Sequence, residues 1–369
     1  MKILHVYKTF LSDTFGGVAQ VIAQIACHPK SSCEHTVLSL SQNPIPSVMD
    51  FSGCKNIRYK ENFNLASNGI SFSLIRDFRK IVAEADLIHY QFPWPFADML
   101  HLFWQIKKPS VVTYQSDILR QKNLLQFYRP IMKRFLTSVD KIVATSPNYL
   151  ATSEVLQDYR DKIAIIPNGI NKDSYAKPSN ERLAYWQNLY GKQFFLFVGV
   201  MRYYKGLDIL LDAAVNTSFP ILIVGTGPIE EELKAKAKKL KLTNIHFLGE
   251  LNEEDKVALL QLALAIIFPS HLRTEAFGMT LLEGAMFGKP LISAEIGTGT
   301  TYINIDQETG IVVPPNDPPA LRNAMQDLWD NPAKREAMGA RAAARYWELF
   351  TADRMVMEYE KLYRTVAGK

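Results

Sequence analysis

Short apolar runs alternate with stretches of helical periodicity along the whole chain, and this alternation constrains the fold more than any other feature. The runs cover 3–6, 35–40, 87–90, 110–114, 141–145 and 163–166 in the first half, then 194–198, 221–224, 245–248, 264–268, 290–293 and 310–313 in the second. A chain that returns to lay a strand parallel to its neighbour needs a crossover long enough for a helix, so the pattern predicts βαβ units and parallel sheets. With 369 residues the chain exceeds what one core holds, so two doubly wound α/β domains are expected, over 1–172 and 173–345. The turn Pro167-Asn168-Gly169-Ile170 and the polar stretch up to Lys192 mark the boundary. A final helix within 346–369, starting near Thr351 with Asp353 close behind, is free to cross back to the first domain.

Composition excludes several classes. At 47% hydrophobic and 21% charged residues the chain is an ordinary globular protein, neither disordered nor collagen-like. No apolar stretch approaches the roughly 20 residues of a membrane-spanning helix, and Met1 to Tyr7 runs directly into a strand without a signal-peptide pattern, so a cytoplasmic location is expected. Three cysteines, Cys27, Cys33 and Cys54, with no CxxC pair, suit reduced thiols better than disulfides or zinc. A net charge of +5 is modest, and no nucleic-acid partner is expected. One basic stretch, 120–135, interleaves Arg120, Lys122, Arg129, Lys133 and Arg134 with Leu124, Leu125, Phe127, Tyr128, Ile131, Met132 and Phe135. It reads either as a peripheral contact with an anionic membrane surface or as a solvated helix face above ordinary core contacts.

The candidate chemistry lies in loops after strands, where open parallel sheets bind ligands. After the first strand, Gly16-Gly17 precedes a helix whose N-terminus offers unpaired N–H groups to an anion; the same pair equally makes a tight turn. After 194–198 comes Gly199-Val200-Met201-Arg202-Tyr203-Tyr204-Lys205, where Arg202 and Lys205 are placed to clamp a diphosphate leaving group. Gly225-Thr226-Gly227-Pro228 lacks the third glycine of a dinucleotide fingerprint and reads as a turn, with or without a nucleotide base against it. Glu275 and Glu283 flank Phe277-Gly278-Met279-Thr280 at a strand-to-helix crossing, and two acids there suit sugar and ribose hydroxyls. The loop 296–301 is polar and follows a strand. No Asp-x-Asp, HxxxH or GxSxG motif occurs, so no metal and no cofactor is expected.

Taken in order, Gly16-Gly17, Ile166-Pro167-Asn168-Gly169-Ile170, Tyr203-Tyr204-Lys205-Gly206-Leu207-Asp208, Gly225-Thr226-Gly227-Pro228 and the Glu275-to-Glu283 segment resemble the retaining glycosyltransferases of family 4. The resemblance implies the GT-B fold, two Rossmann-like domains facing across a cleft, with the acceptor on the N-terminal side and the nucleotide-sugar donor on the C-terminal side. It implies metal-independent transfer with retention. Glu283 would hold the donor ribose, Glu275 the transferred sugar, and Lys205 with the Gly16-Gly17 loop the diphosphate. Gly199, Gly225, Gly227, Phe277, Gly278, Met279 and Thr280 would line the donor site.

Two positions depart from the family pattern. Val200 stands where an arginine is usual, with Arg202 two residues on taking its role, and Gln115 replaces a histidine in Tyr114-Gln115-Ser116-Asp117. Gln115 hydrogen-bonds hydroxyls but exchanges no proton near neutral pH. Gln115 and Ser116 are then expected beside the sugar and Asp117 on the acceptor side. The segments 112–118, 144–150 and 295–300 are similar to the bacterial subgroup that assembles O-antigen and other surface polysaccharides. That implies a GDP-mannose donor and a lipid-linked saccharide acceptor at the inner membrane, with a UDP-hexose donor as the alternative. A sugar-nucleotide 2-epimerase on a similar fold and a non-catalytic nucleotide-sugar binding protein are the competing readings.

Overall fold

The computed structural model describes residues 1–11, 13, 16–65, 68–118, 122–191 and 193–368, and of residues 122–124 the backbone alone. Phe15 before the glycine pair, Arg120, Lys192 and the side chains of Lys122 and Leu124 lie outside the described residues. The chain forms two compact units: Met1–Ile170 with Ala352–Lys369, and Asn171–Thr351.

The first unit is built on an eight-stranded sheet. Its strands are β1 (Lys2–Val6), β2 (Glu34–Ser41), β3 (Val48–Phe51), β4 (Cys54–Lys60), β7 (Leu87–Phe92), β8 (Ser110–Tyr114), β9 (Lys141–Ala144) and β10 (Ile163–Ile165). Their order is β10-β9-β8-β7-β1-β2-β4-β3, parallel except where β3 runs antiparallel to β4. A separate antiparallel pair joins β5 (Phe63–Leu65) to β6 (Asn68–Ile70). From β1 the chain builds outward through β2 and β4, then returns to the other side at β7, so the strand order reverses between β1 and β7. The last helix, Ala352–Ala367, belongs to this unit, where Met355, Val356, Tyr359 and Tyr363 are buried.

The sequence pattern predicts every strand of this sheet except β3 and β4, and it misses β5 and β6 as well. β4 escapes because its inward positions are Cys54, Asn56 and Arg58, which leaves no apolar alternation to read. The buried polar groups are satisfied: Asn56 donates to Val37 O and Ser39 Oγ at 3.1 Å each, and Arg58 pairs with Asp13 at 3.1 Å.

The second unit carries six parallel strands, β11 (Phe195–Val198), β12 (Ile221–Val224), β13 (Ile245–Gly249), β14 (Ala265–Phe268), β15 (Leu291–Ala294) and β16 (Gly310–Val313), in the order β13-β12-β11-β14-β15-β16. All six match the predicted runs to within a residue at each end. The strands are continuous apolar runs because helices cover both faces: Leu196, Phe197, Leu222, Ile223, Ile266 and Ile267 are fully buried. Polar caps start those helices, as where Asn252 Oδ1 accepts the Asp255 N–H at 2.9 Å and Asp317 Oδ1 that of Ala320 at 2.9 Å. Here the order reverses between β11 and β14. Among the described residues no helix is long and apolar enough to cross a membrane.

Candidate active site

Where strand order reverses, the loops leaving two adjacent strands diverge to opposite faces and open a crevice at their carboxyl ends. In the second unit those strands are β11 and β14. The loop after β11 holds Arg202 and Lys205, and the loop after β14 holds Ser270 and Glu275.

Close packing of these two loops depends on Gly206. Its φ is +69°, and a Cβ there would lie 2.1 Å from the carbonyl oxygen of Pro269, so only glycine lets the loops approach. His271 N–H then donates to Tyr204 O at 3.1 Å. This contact carries Lys205 to Glu275, with Nζ 2.5 Å from Oε2 and both side chains 13% exposed. Ser270 Oγ donates to the same carboxylate oxygen at 3.3 Å, and the ammonium lies 4.8 Å from the Phe268 ring centre. Arg202 is exposed at the start of the single helical turn Tyr203–Lys205, and among the described residues no ion pair engages its guanidinium. Val200 beside it is 45% exposed.

The neighbouring loop after β12 meets the same strand end through Gly225, whose Cβ would fall 2.2 Å from Gly199 O; at Gly227 it would fall 2.4 Å from Met201 O. The glycines of this turn therefore have a structural task, the close approach of two backbones.

Glu283 lies inside the helix Met279–Met286, capped by Gly278. It is buried at 5% exposure. Tyr175 Oη donates to Oε1 at 3.0 Å and Lys256 Nζ contacts the same oxygen at 3.2 Å, while Oε2 takes no hydrogen bond among the described residues. Lys256 also pairs with Glu253 at 2.9 Å and lies 5.1 Å from the Tyr175 ring centre. Burial lowers the Lys256 pKa, but the carboxylates of Glu283 and Glu253 outweigh it and the net shift is upward, so the ammonium stays charged. Burial first, and then Glu283, push the Tyr175 hydroxyl well above its ordinary value. Sequence reasoning missed both Tyr175 and Lys256. No motif marks them, and only the fold brings residues 108 and 27 positions away to Glu283.

The segment between the acids is rigidly held. Thr280 Oγ1 donates to Val198 O at 3.0 Å, Gly299 N–H donates to Ala276 O at 2.8 Å, and Arg273 reaches Gly297 O at 2.9 Å. Phe277 is buried, and Met279 is half-buried at the helix start. The loop 296–301 thus braces the acid-bearing loop.

The other expected residues belong to the first unit. Gly16 caps the helix Gly17–Ala26 with an extended φ of −168° that any residue adopts, and among the described residues nothing lies within 4 Å of where its Cβ would be. Gln115, 8% exposed, follows β8 and donates from Nε2 to Gln91 Oε1 at 2.8 Å. Ser116 is half-buried beside it. The Asp117 carboxylate accepts from Tyr114 Oη at 3.0 Å and Ser153 Oγ at 2.8 Å, while its N–H donates to Tyr149 Oη at 2.6 Å. In the basic segment, Phe127 is 79% exposed and Arg129, Lys133 and Arg134 face solvent on the helix Lys122–Ser138, while Met132, Phe135 and Leu136 are buried.

Comparison with known proteins yields two family models: "Glycosyltransferase Family 4" over residues 15–174 and "Glycosyl transferases group 1" over residues 186–345. The chain is similar to the D-rhamnosyltransferase WbpZ of Pseudomonas aeruginosa, 56% identical over 95% of this chain and 93% of the relative. It is also similar to the O-antigen chain mannosyltransferase C of Escherichia coli, 46% identical over 99% of each. Among solved structures, a sucrose-phosphate synthase from Thermosynechococcus elongatus superposes with a TM-score of 0.81 at 21% identity, covering 99% of this chain and 98% of that one. The HepE protein of Anabaena in complex with UDP also gives 0.81, at 17% identity over 99% and 100%. These two structural matches speak to fold alone.

Proposed function

The chain belongs to glycosyltransferase family 4, with the GT-B fold, and from that premise we propose that it transfers a hexose, with retention, from a nucleotide sugar to a lipid-linked saccharide during assembly of an O-antigen or similar surface polysaccharide. GDP-mannose is the favoured donor, in keeping with the mannosyltransferase relative at 46% identity. The rhamnosyltransferase relative at 56% identity supports a second donor, the GDP derivative of D-rhamnose, which is mannose without its 6-hydroxyl.

The observation that carries this reading is the Lys205–Glu275 pair at the β11/β14 reversal. A diphosphate arriving there competes with Glu275 for the ammonium. Lys205, with Arg202, then neutralises the leaving group, and the released Glu275 carboxylate accepts hydrogen bonds from hydroxyls of the transferred sugar. Glu283 is already anchored through Oε1 by Tyr175 and Lys256, which reserves Oε2 for the ribose hydroxyls.

In the retaining step the acceptor hydroxyl attacks on the face from which the diphosphate departs. The anomeric carbon–oxygen bond to phosphate breaks, the new glycosidic bond forms, and the hydroxyl proton passes to a diphosphate oxygen. Gln115 is then not asked to move a proton, and Asp117 lies on the acceptor side. No metal ion is required, because fixed cations supply the charge that a divalent ion would. The basic face of Lys122–Ser138 would hold the enzyme at the cytoplasmic surface of the inner membrane, where a lipid-linked acceptor resides.

The test is direct. Purified protein incubated with GDP- and UDP-sugars and a lipid-linked or synthetic acceptor is expected to release GDP from GDP-mannose or GDP-D-rhamnose and to extend the acceptor. Release of no nucleotide diphosphate from any donor would end the proposal.

A further inference from the structure

Beneath the helix Ala352–Ala367 runs a buried chain of polar side chains that ends at Gln115. His89 and Gln91 lie on β7, and Thr113 on β8 sits beside Gln91 in register. Tyr359 and Tyr363, one helical turn apart, cover the His89 ring with centroids 5.1 and 5.6 Å away. His89 and Thr113 are fully buried and Gln91 is 2% exposed. Burial, with a smaller contribution from His35, pulls the His89 pKa down to about 3, so the imidazole is neutral. One ring nitrogen donates and the other accepts.

The assigned orientation of the Gln91 amide selects one tautomer: with Nε2, which can only donate, 3.2 Å from His89 Nε2, that nitrogen accepts. Thr113 Oγ1 lies 2.7 Å from the same nitrogen and 2.8 Å from the Tyr359 hydroxyl, and links the two. That assignment puts the imidazole proton on Nδ1, directed at the Tyr363 hydroxyl oxygen 2.7 Å away. At the other end Gln91 Oε1 accepts from Gln115 Nε2 at 2.8 Å. Gln115 Oε1 takes no hydrogen bond among the described residues, so it is the end of the amide left to accept one. With the opposite tautomer both amides would turn over, and Gln115 would present its NH2 group instead.

We propose that His89, held by Tyr363, is a positioning residue whose Nδ1–H tautomer makes Gln115 a hydrogen-bond acceptor for a hydroxyl of the substrate sugar. This rests on Gln115 lying beside the sugar, as in the function proposed above. It assigns the C-terminal helix a part in sugar recognition that reaches the site through three side chains.

The experiment uses the full-length protein labelled with nitrogen-15 histidine, with the His89 signals assigned by their loss in His89→Gln. Nitrogen chemical shifts at pH 7.5 are expected to show His89 protonated on Nδ1. Tyr363→Phe, which removes the acceptor for that proton, is expected to shift His89 towards the Nε2–H form. It should lower kcat/KM for the nucleotide sugar about tenfold, the effect of one hydrogen bond. Nucleoside diphosphate affinity should not change, which a general loss of structure would not spare. Gln91→Met breaks the chain without touching the helix and is expected to give the same kinetic loss, so the proposal stays testable if Tyr363→Phe folds poorly. An Nε2–H tautomer in the unmodified protein, or unchanged kcat/KM in a folded variant, overturns the inference. Absence of sugar transfer by the unmodified protein would instead defeat the functional reading, while the nitrogen shifts still decide the tautomer.

Discussion

Lys205 and Glu275, seventy residues apart in the chain, meet at 2.5 Å with little exposure of either side chain, and the two charges answer each other. A site for a dianionic leaving group that already holds a carboxylate on its cation has a built-in competitor. Separating the two residues by mutation therefore gives opposite effects on binding and on turnover. Glu275→Gln is expected to raise affinity for the nucleoside diphosphate about fivefold, the scale of ~1 kcal/mol for a partly exposed pair, while lowering kcat. Lys205→Ala should reduce kcat by about a hundredfold or more, matching the roughly 2.7–4 kcal/mol lost with one preorganised charge-stabilising donor. Calorimetric titration with GDP and steady-state kinetics check both, and tighter GDP binding is the diagnostic result.

Glu283→Ala is expected to weaken donor binding by about ten- to a hundredfold, since hydrogen bonds to a charged group contribute about 1.5–3 kcal/mol. Tyr175→Phe should do the same more mildly, because it loosens the carboxylate without removing it. Lys256 retains Glu253 at 2.9 Å when Glu283 is lost, so the Glu283→Ala protein should stay folded. Comparing Kd for GDP with Kd for the 2′,3′-dideoxy nucleotide tests the ribose assignment: Glu283→Ala should abolish the difference between them.

Acid should weaken the first unit through its histidines. His5, His35 and His89 form a buried row, with His5 Nε2 2.9 Å from His35 Nδ1 and the His5 and His89 ring centres 5.1 Å apart. Burial lowers all three, His35 to about 4 and His89 to about 3, with His5 also well below its ordinary value. Their folded pKa values are depressed below the unfolded value of about 6.5. The stability they contribute is therefore complete above pH ~6.5 and is lost as pH falls towards 4 and 3, each group adding a slope of up to about 1.4 kcal/mol per pH unit. Asp98, which burial raises to about 8, acts in the opposite sense, since its neutral form suits the fold and its contribution is lost as pH rises towards 8. In an Asp98→Asn background the urea midpoint should fall from pH 7 to pH 5 with net proton uptake on unfolding. A flat profile would contradict the neutral histidine row.

Binding to vesicles containing anionic lipid should depend on Arg129, Lys133 and Arg134 together, with roughly 1 kcal/mol per cation near the surface and strong sensitivity to salt. Phe127, 79% exposed on the same helix, supplies the apolar contact, so Phe127→Ser should weaken binding even at low salt. Co-sedimentation with neutral and anionic vesicles separates the two contributions.

Most of the fold was legible because the strands of both sheets, β3 aside, are parallel and most are buried on both faces, which forces continuous apolar runs such as Phe195–Val198 and Ile221–Val224 that stand out from helical periodicity. Where that condition fails, so does the reading: β4 buries Asn56 and Arg58 and has no such run. Glu275 and Lys205 were legible because they sit directly after recognisable strands, and Glu283 because it lies in the helix that follows the same loop. Their partners were not. Tyr175 and Lys256 reach Glu283 from a 3-10 turn's end and from a helix face, and nothing local distinguishes them from ordinary core and surface residues. The contact of Lys205 with Glu275 was equally invisible, since it depends on the absent Cβ of Gly206 beside Pro269.

The helix Ala352–Ala367 closes over the first unit, yet the ribosome delivers it only after all of Asn171–Thr351 has emerged. Until then the His89 row and the strands beneath it lack their cover, so the unit begun first is finished last. A nascent chain of this protein would expose that polar seam throughout synthesis of the second unit, and chaperone engagement should persist until Tyr359 and Tyr363 dock.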